Sequence, residues 1–474
     1  MLYCFLFEYC IQNIDKKRKN KYNYINIQKI KGGYSMKKQK TDIAVVGFAL
    51  FSMFFGAGNL LFPPYLGLIS GSHWLISLSG FILADVGLSL LVITAAAKCG
   101  GELDKVLSRA GNVLAKVVGI ASILCIGPLL AIPRTAATTY EMGISPIIGD
   151  MGTFVPVIVS VVFFALTLFL TIKPSKVVDI IGKFLTPALL LALAVLIVIG
   201  IISPIGEVSN NALINKNLFA EGVSQGYLTM DALGAAAMAA VIIASISDRG
   251  YTNENDKVKL TIKAGLVSGL ALIVVYGGLT FLGSTLSTAY GVDTPQASLM
   301  VVITNSLLGY PGKLVLGMIV SLACLTTSIG LTSASAKYFS SISNNKIKYE
   351  TVVISICIFS AIVSNFGVST IIKFSLPVLE IVYPVLIALV IMTLIGKHIK
   401  NDNAFKGAAY VTLFVSILSV SSNLLSLTQI SDILNSLPLA NLGFNWVVPA
   451  VIGAVIGGLI KTKEREEVKE AKEA

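Results

Sequence analysis

The chain has 474 residues, of which 55% are hydrophobic and only 13% are charged. Soluble domains carry about 25% charged residues, so this composition excludes a soluble globular protein and leaves no room for a soluble catalytic module. The net charge of +11 requires no nucleic-acid partner, because basic residues beside membrane spans set topology and contact anionic lipid. We expect one integral membrane domain over residues 36–461.

The first 35 residues do not fit this picture. The apolar stretch MLYCFLFEYC is too short to span a membrane, and its basic residues follow it, whereas a signal peptide begins with them. We expect that translation starts at Met36 and that residues 1–35 are a non-native or disordered leader. Mass spectrometry of the native N-terminus tests this start, because a tryptic peptide from residues 1–30 would contradict it.

Residues 51–67, FSMFFGAGNLLFPPYLG, interrupt what would otherwise be an unbroken membrane helix. Lipid offers no hydrogen-bond partners, so non-helical backbone there must be buried in protein or line a polar cavity. Secondary transporters use such breaks to present bare N–H and C=O groups to a solute and a cation. The residues that mark the predicted break are Gly56, Gly58, Asn59, Pro63 and Pro64.

A dozen apolar runs reach the roughly 20 residues needed to cross the hydrocarbon. The predicted spans are 42–69, 75–97, 112–140, 153–172, 177–201, 218–247, 258–283, 312–340, 350–366, 370–396, 408–427 and 444–461. Lys and Arg cluster in alternate loops, which predicts that both termini are cytoplasmic. The predicted location is the bacterial cytoplasmic membrane, with residues 462–474 as a charged cytoplasmic tail.

A second break is predicted in the sixth span, where Gly222, Gly226 and Gly234 flank residues 227–231. Interrupted helices at corresponding positions in two five-helix halves indicate a binding site at the membrane midplane. The alternative is that these glycines only permit close helix packing.

Motifs for catalysis are missing from the sequence. It contains no HExxH helix, phosphate-binding loop or Ser/His or Cys/His set, and its cysteines lack metal-ligand spacing. An enzyme is therefore not expected, nor is a cofactor other than a coupling ion. Two half-helix sites also disfavour a channel.

Four segments resemble the branched-chain amino acid carriers, the LIVCS family of bacterial symporters. They are FGAGNLLFPPYLG (55–67), GYLTMDALG (226–234), LACLTTSIGLTSA (322–334) and LPVLEIVYP (376–384). The family looks related to the amino acid–polyamine–organocation superfamily. The resemblance implies an all-α membrane protein of about twelve helices: a leucine-transporter-like 5+5 inverted repeat (about 42–201 and 218–396) plus two C-terminal helices (about 408–461).

The resemblance further implies import of L-leucine, L-isoleucine and L-valine with Na⁺ or H⁺. The break supplies N–H groups at a helix N-terminus for the substrate carboxylate, and carbonyls of the sixth span can take the ammonium. Met230, Leu233 and Ile126 are candidates for the apolar pocket, with ordinary packing as the alternative. The predicted substrate-binding residues are Gly56, Ala57, Gly58, Asn59, Tyr227, Thr229 and Met230.

A sodium site is predicted where the eighth span faces the first break. Ala323-x-x-Thr326-Thr327 resembles the Ala-x-x-Thr-Ser pattern of sodium sites in related folds, with Thr327 keeping the hydroxyl. The matching carbonyls are those of Ser52 and Phe55. Alternatively, the hydroxyls bond only to carbonyls of their own helix.

Four ionisable residues fall inside predicted spans: Asp85, Arg134, Asp231 and Glu380. Such groups are costly in a membrane and usually functional. Asp231 and Glu380 are the first candidates for proton transfer if coupling is to H⁺. Alternatively, all four form structural ion pairs, with Arg134 bound to one of the carboxylates.

The sequence thus predicts a Na⁺-coupled symporter for branched-chain amino acids that works by alternating access. An H⁺-coupled carrier and an amino acid exchanger remain the alternatives. No nucleic acid and no obligate protein partner are implied; membrane lipid is the expected environment.

Overall fold

The computed structural model describes residues 27–101, 103–149, 152, 154–172, 176–396, 399 and 401–460. Regular structure within these residues is helical. In chain order the helices are α1 (Ile27–Phe54), α2 (Gly58–Ser70), α3 (Trp74–Ile82), α4 (Leu88–Lys98), α5 (Leu103–Leu107), α6 (Asn112–Leu124), α7 (Ala131–Thr138), α8 (Ser145–Ile148), α9 (Phe154–Ile172), α10 (Lys176–Ile202), α11 (Leu218–Thr229), α12 (Asp231–Asp248), α13 (Glu254–Ser284), α14 (Gln296–Ile342), α15 (Tyr349–Ser364), α16 (Val368–Leu394), α17 (Asp402–Leu424), α18 (Thr428–Asn435) and α19 (Val447–Leu459).

Seven segments of the described chain are long and apolar enough to cross a membrane, or up to eight if a bent pair counts as one span. Three shorter apolar helices, Ala188–Ile202, Tyr349–Ser364 and Val447–Leu459, accompany them. The predicted all-helical, multi-pass architecture is confirmed, while the count of twelve spans stays a prediction.

The predicted chain ends remain predictions as well. Helix α1 begins at Ile27, inside the predicted leader, and residues 1–26 lie outside the described residues. The charged tail falls within residues 461–474, which are likewise not described.

The first break is confirmed, but it is shorter than predicted. Helix α1 ends at Phe54 and α2 begins at Gly58. Pro63 and Pro64 lie inside α2, so the prediction that they mark the break is wrong. A proline within a helix lacks the N–H that would bond to the carbonyl four residues back; α2 continues past both prolines, each of which lacks that donor.

The second break is confined to one residue. Met230 has φ 66° and ψ 16°, in the left-handed region, and α12 starts immediately after it at Asp231. Gly222 and Gly226 instead lie within α11 and serve close packing. A Cβ on Gly222 would come within 2.0 Å of the Ser77 carbonyl oxygen on α3.

Two of the three π-helical turns among the described residues contain or precede an ionisable residue of the predicted set; the third is Thr139–Ile144. One, Leu83–Gly87, joins α3 to α4 and contains Asp85. The other, Cys125–Leu129, precedes α7, which carries Arg134. Single π-turns inside α-helices are frequent at functional sites.

Glycines hold α2 against α13. A Cβ on Gly67 would lie 1.8 Å from the carbonyl oxygen of Thr280, and one on Gly283 would lie 1.9 Å from that of Pro64. Small residues of this kind let membrane helices approach closely. This contact brings Tyr276 of α13 beside the start of α2.

Helix α14 is interrupted at Gly309, which has φ 65° and ψ −163°. Its first part occupies the connection that the sequence predicts between the seventh and eighth spans. Pro311 follows two residues later and cannot donate to the helical ladder. The part beyond this kink carries Thr326 and Thr327.

Candidate functional site

The two breaks meet at one cavity of about 70 Å³. Residues from both broken spans, from α7 and its preceding turn, and from α14 form its wall. The lining residues are Met53, Phe54, Gly56, Ala57, Gly58, Asn59, Ile126, Ala131, Arg134, Thr135, Thr229, Met230, Asp231, Gly234, Met238, Thr327 and Leu331. Ligand pockets typically measure roughly 300–1,000 Å³, so this cavity is smaller than a typical ligand pocket.

Helix ends of opposite polarity face the cavity. The first four N–H groups of a helix have no acceptor within it, and its N-terminus carries a partial positive charge. Both α2 and α12 present such an N-terminus, at Gly58 and Asp231. The C-terminal carbonyls of α11 lie beside them. The cavity thus offers separate places for a carboxylate and for an ammonium or metal cation.

Asn59 connects the two breaks. Its Oδ1 accepts a hydrogen bond of 2.9 Å from the Gly56 N–H. Its Nδ2 donates to Asp231 Oδ2 at 2.7 Å and also to the hydroxyl oxygen of Tyr276. One amide therefore fixes the backbone of the first break and the carboxylate that begins α12.

Asp85 extends this network away from the cavity. Thr229 Oγ1 lies 2.6 Å from Asp85 Oδ1 and 2.7 Å from the Gly226 carbonyl oxygen. Thr229 Oγ1 also accepts a hydrogen bond of 3.4 Å from the Asp231 N–H, so this hydroxyl links Asp85 to the first residue of α12. Among the described residues, no donor reaches Asp85 Oδ2. The Tyr276 hydroxyl accepts from Asn59 and keeps its own proton to donate within this buried network.

Arg134 lines the cavity although only 4% of its surface is exposed. Its Nη1 donates to the Leu228 carbonyl oxygen at 2.6 Å, and its Nη2 donates to that of Thr229 at 3.5 Å. Within the described part of the chain, it forms no salt bridge with Asp85, Asp231 or Glu380. The carbonyls that the sequence assigns to the substrate ammonium are therefore engaged by Arg134 in this structure.

Six of the seven predicted substrate residues line the cavity: Gly56, Ala57, Gly58, Asn59, Thr229 and Met230. The seventh, Tyr227, is buried elsewhere, with its ring stacked on Tyr383 at a centroid distance of 4.4 Å. Of the apolar candidates, Ile126 and Met230 line the cavity and Leu233 does not. These residues are thus located at the cavity, and their binding of a substrate stays a prediction.

Of the five predicted sodium ligands, only Thr327 lines the cavity; Ser52, Phe55, Ala323 and Thr326 are not part of its wall. The Thr326 hydroxyl donates to the Ala323 carbonyl oxygen at 2.9 Å. This is the within-helix bond that the sequence leaves open as the alternative, although a hydroxyl that donates once still has lone pairs for a cation.

Glu380 lies apart from the other three ionisable residues. It is half-buried on α16 and is not part of the cavity wall. Asp231, by contrast, faces the cavity directly. The two residues proposed as proton carriers therefore occupy different environments.

Sequence reasoning missed several contributors. Met53, Met238 and Leu331 form much of the apolar wall, yet each is an ordinary apolar residue of a membrane span. Tyr276 carries no local motif, and only the packing of α13 against α2 makes it a partner of Asn59. For Arg134, the signal was its charge within a span, which did not indicate its partners.

Comparison with known proteins gives the fold. The crystal structure of MhsT in complex with L-phenylalanine aligns with a TM-score of 0.55 and 16% identity, over 87% of this chain and 98% of that one. The inward-facing conformation of Mhp1 aligns with a TM-score of 0.56 and 13% identity, over 88% of this chain and 90% of that one. The leucine-transporter-like fold that the sequence predicts is confirmed.

The sequence comparisons give the family. Branched-chain amino acid permease BraB of Bacillus subtilis is 35% identical over 422 residues, 88% of this chain and 94% of that protein. The branched-chain amino acid transport system 2 carrier protein of Pseudomonas aeruginosa is 35% identical over 433 residues, 90% and 98% of the two chains. The relatives named here are transporters, as is this chain, and not enzymes. Because the family model for branched-chain amino acid transport proteins matches residues 39–464, the chain belongs to that family.

Proposed function

We propose that this protein imports L-leucine, L-isoleucine and L-valine together with Na⁺, by alternating access across the bacterial cytoplasmic membrane. The observation that carries the proposal is the meeting of two broken spans at one cavity, with helix N-termini, a carboxylate and an apolar wall around it. No covalent step is involved, and the ion gradient supplies the free energy.

The substrate class follows from the chemistry of the wall. Five apolar side chains, Met53, Ile126, Met230, Met238 and Leu331, suit a branched aliphatic side chain. The N-terminus of α2 suits the carboxylate, and Asp231 suits the ammonium. The relatives in B. subtilis and P. aeruginosa are named for the same class of substrate, branched-chain amino acids.

Alternating access accounts for the small cavity. A cavity of about 70 Å³ is smaller than a typical ligand pocket, so we infer that the half-helices separate to load leucine. The breaks at residues 55–57 and at Met230 are natural hinges, because neither carries a continuous helical ladder. The alternation of basic loops supports cytoplasmic termini, and an inwardly directed ion gradient would make the transport inward.

Sodium coupling rests on Thr327, which faces the first break across the cavity. Na⁺ is a hard cation and prefers neutral or charged oxygen ligands, by the logic that governs Ca²⁺ and Mg²⁺. Carbonyls at the C-terminal end of α1, including those of Ser52 and Phe55, are the proposed partners. By linkage, Na⁺ and substrate must raise each other's affinity by the same factor.

Proton coupling is the second candidate, and it is favoured by the link of Asp85 to Asp231 through the Thr229 hydroxyl inside the protein. Two carboxylates in a medium of low dielectric repel strongly, and one shared proton removes that repulsion. Substrate binding beside Asp231 would then change the proton affinity of this pair of carboxyl groups, so that proton uptake or release accompanies transport.

The experiment is uptake of radiolabelled leucine into proteoliposomes under an imposed Na⁺ gradient, and separately under a pH gradient without Na⁺. Accumulation that needs Na⁺ supports the proposal. Accumulation with the pH gradient alone would replace Na⁺ by H⁺. If neither gradient drives uptake but internal leucine accelerates it, the protein is an exchanger.

A further inference from the structure

We propose that Arg134 binds the carboxylate of the transported amino acid and makes the cavity selective for substrates that carry this charge. The inference deepens the proposed function and rests on it, because it takes an amino acid as the cargo. It assigns Arg134 a role in substrate recognition, in place of a structural ion pair or a proton carrier.

The first observation is that, among the described residues, no carboxylate forms a salt bridge with Arg134, although Asp231 lines the same cavity. Arg134 is 4% exposed, and its hydrogen bonds within the described chain go to the neutral backbone carbonyls of Leu228 and Thr229. The ring of Phe62 lies 5.4 Å from its guanidinium carbon. A guanidinium inside a membrane protein is costly unless its charge is compensated. A ligand anion in the cavity would compensate it.

The second observation is the position of the guanidinium beside the first break. A Cβ on Gly58, the first residue of α2, would lie 2.9 Å from Arg134 Nη2. The N-terminus of α2 carries a partial positive charge of its own. Two positive features therefore converge on the same edge of the cavity, and an anion placed between them is stabilised by both.

The third observation is that the guanidinium is held in place with donors to spare. Guanidinium has five N–H donors in a rigid plane, and the carbonyls of Leu228 and Thr229 anchor two of its nitrogens. The remaining donors match the fork of a carboxylate, a geometry that lysine cannot reproduce. Arg134 is thus pre-oriented before the substrate arrives.

Asp231 provides the partner for the substrate ammonium. It lines the same cavity as Arg134 and carries the opposite charge. An amino acid lying between them has its carboxylate toward Arg134 and its ammonium toward Asp231. The pair fixes the direction of the zwitterion and leaves its side chain to the apolar wall.

The test compares L-leucine with L-leucinol, which keeps the ammonium and side chain but has an uncharged CH₂OH group in place of the carboxylate. Binding is measured as ligand-dependent thermal stabilisation of the purified carrier at fixed Na⁺ and pH. Losing one partner of a buried charge pair typically costs 2–5 kcal/mol, or at least about 30-fold in affinity. We expect wild-type protein to prefer leucine by at least about 30-fold, and Arg134→Gln to lose most of that preference.

The preference, a ratio of two affinities in the same folded protein, is insensitive to expression yield. Arg134→Lys keeps the positive charge but not the planar guanidinium, so its preference for leucine over leucinol should be intermediate. It replaces Arg134→Gln in the test if that variant does not fold. Arg109→Gln is the control: like Arg134, Arg109 donates to two backbone carbonyls, those of Gly396 and Ile399, but it is paired with the Asp402 carboxylate and lies outside the cavity. Its ratio should equal that of wild type.

Two results overturn the inference, and they are distinguishable. If wild-type protein binds leucine and both Arg134 variants keep the full leucine preference, Arg134 is a structural cap on α11 and the proposed function stands. If wild-type protein binds no branched-chain amino acid, the proposed function fails and this inference fails with it.

Discussion

Asn59 Nδ2 donates a hydrogen bond of 2.7 Å to Asp231 Oδ2, across 172 residues of sequence. The two residues lie in the first turns of α2 and α12, the half-helices that follow the two breaks. The bond therefore couples the two broken spans at the cavity itself. A substrate that binds between these half-helices either leaves the Asn59–Asp231 hydrogen bond intact beside it or breaks that bond.

Asn59→Ala tests this link. The variant removes the donor to Asp231 and the acceptor for the Gly56 N–H, and each buried group left unsatisfied costs about 1–3 kcal/mol. We expect leucine uptake to fall at least about 10-fold at equal membrane abundance, with a lower melting temperature. Asn445→Ala, which loses one bond to Ser419 Oγ outside the cavity, should transport normally. Normal uptake by Asn59→Ala would show that the link is dispensable.

Substitution of Gly58 probes the space between α2 and Arg134. A Cβ there meets Arg134 Nη2 at 2.9 Å and Phe62 Cε2 at 3.1 Å, so Gly58→Ala should weaken leucine binding and Gly58→Leu should abolish transport. Initial uptake rates, normalised to the amount of carrier in the membrane, measure both. The control is Gly330→Ala on α14, where a Cβ meets nothing within 4 Å. Unchanged uptake by Gly58→Leu would show that the substrate carboxylate does not bind at this edge of the cavity.

Thr327→Ala tests the sodium proposal. Loss of one hydroxyl ligand should raise the Na⁺ concentration for half-maximal uptake by roughly 10-fold, since a bond to a charged group is worth about 1.5–3 kcal/mol. The Na⁺ dependence of leucine uptake at saturating leucine measures it. Thr412→Ala deletes a buried hydroxyl that donates to the Ala408 carbonyl oxygen on α17 and should leave that dependence alone. An unaltered Na⁺ requirement in Thr327→Ala would show that Thr327 is not a sodium ligand.

Proton coupling makes opposite predictions for two carboxylates. If a proton is shared between Asp85 and Asp231, Asp85→Asn should abolish uptake driven by a pH gradient, because a neutral amide cannot share it. Glu380→Gln should retain that uptake, since Glu380 is not part of the cavity wall. Uptake driven by each gradient is measured in proteoliposomes. Loss of pH-driven uptake in Glu380→Gln alone would transfer the role to Glu380.

Gly283→Ala is predicted to destabilise the protein as a whole. The added Cβ would lie 1.9 Å from the Pro64 carbonyl oxygen. A backbone atom in a packed helix cannot move away without shifting the helix. Overpacking of this kind costs about 1–3 kcal/mol or more, so the melting temperature of the purified carrier should drop. Gly291→Ala, whose Cβ meets nothing within 4 Å, is the control. An equal melting temperature for both would mean that α2 and α13 can separate without cost.

The sequence alone determined the class of the protein and the location of its breaks. A membrane supplies no hydrogen bonds, so glycines and an asparagine inside an apolar run are informative wherever they occur. That reasoning located both interruptions, and the motifs around them identified the family. It misjudged Pro63 and Pro64, because a proline inside a membrane helix removes one hydrogen bond without ending the helix.

Only the tertiary structure decided which groups face one another. Side-chain partners depend on helices brought together from distant parts of the chain, and no local pattern encodes them. Arg134 could have paired with any of three carboxylates, yet it bonds to the carbonyls of α11. Tyr227 belonged to the right segment but turns its ring toward Tyr383. In a helical membrane protein, the backbone breaks can be predicted from local sequence, whereas the charge partners follow from packing.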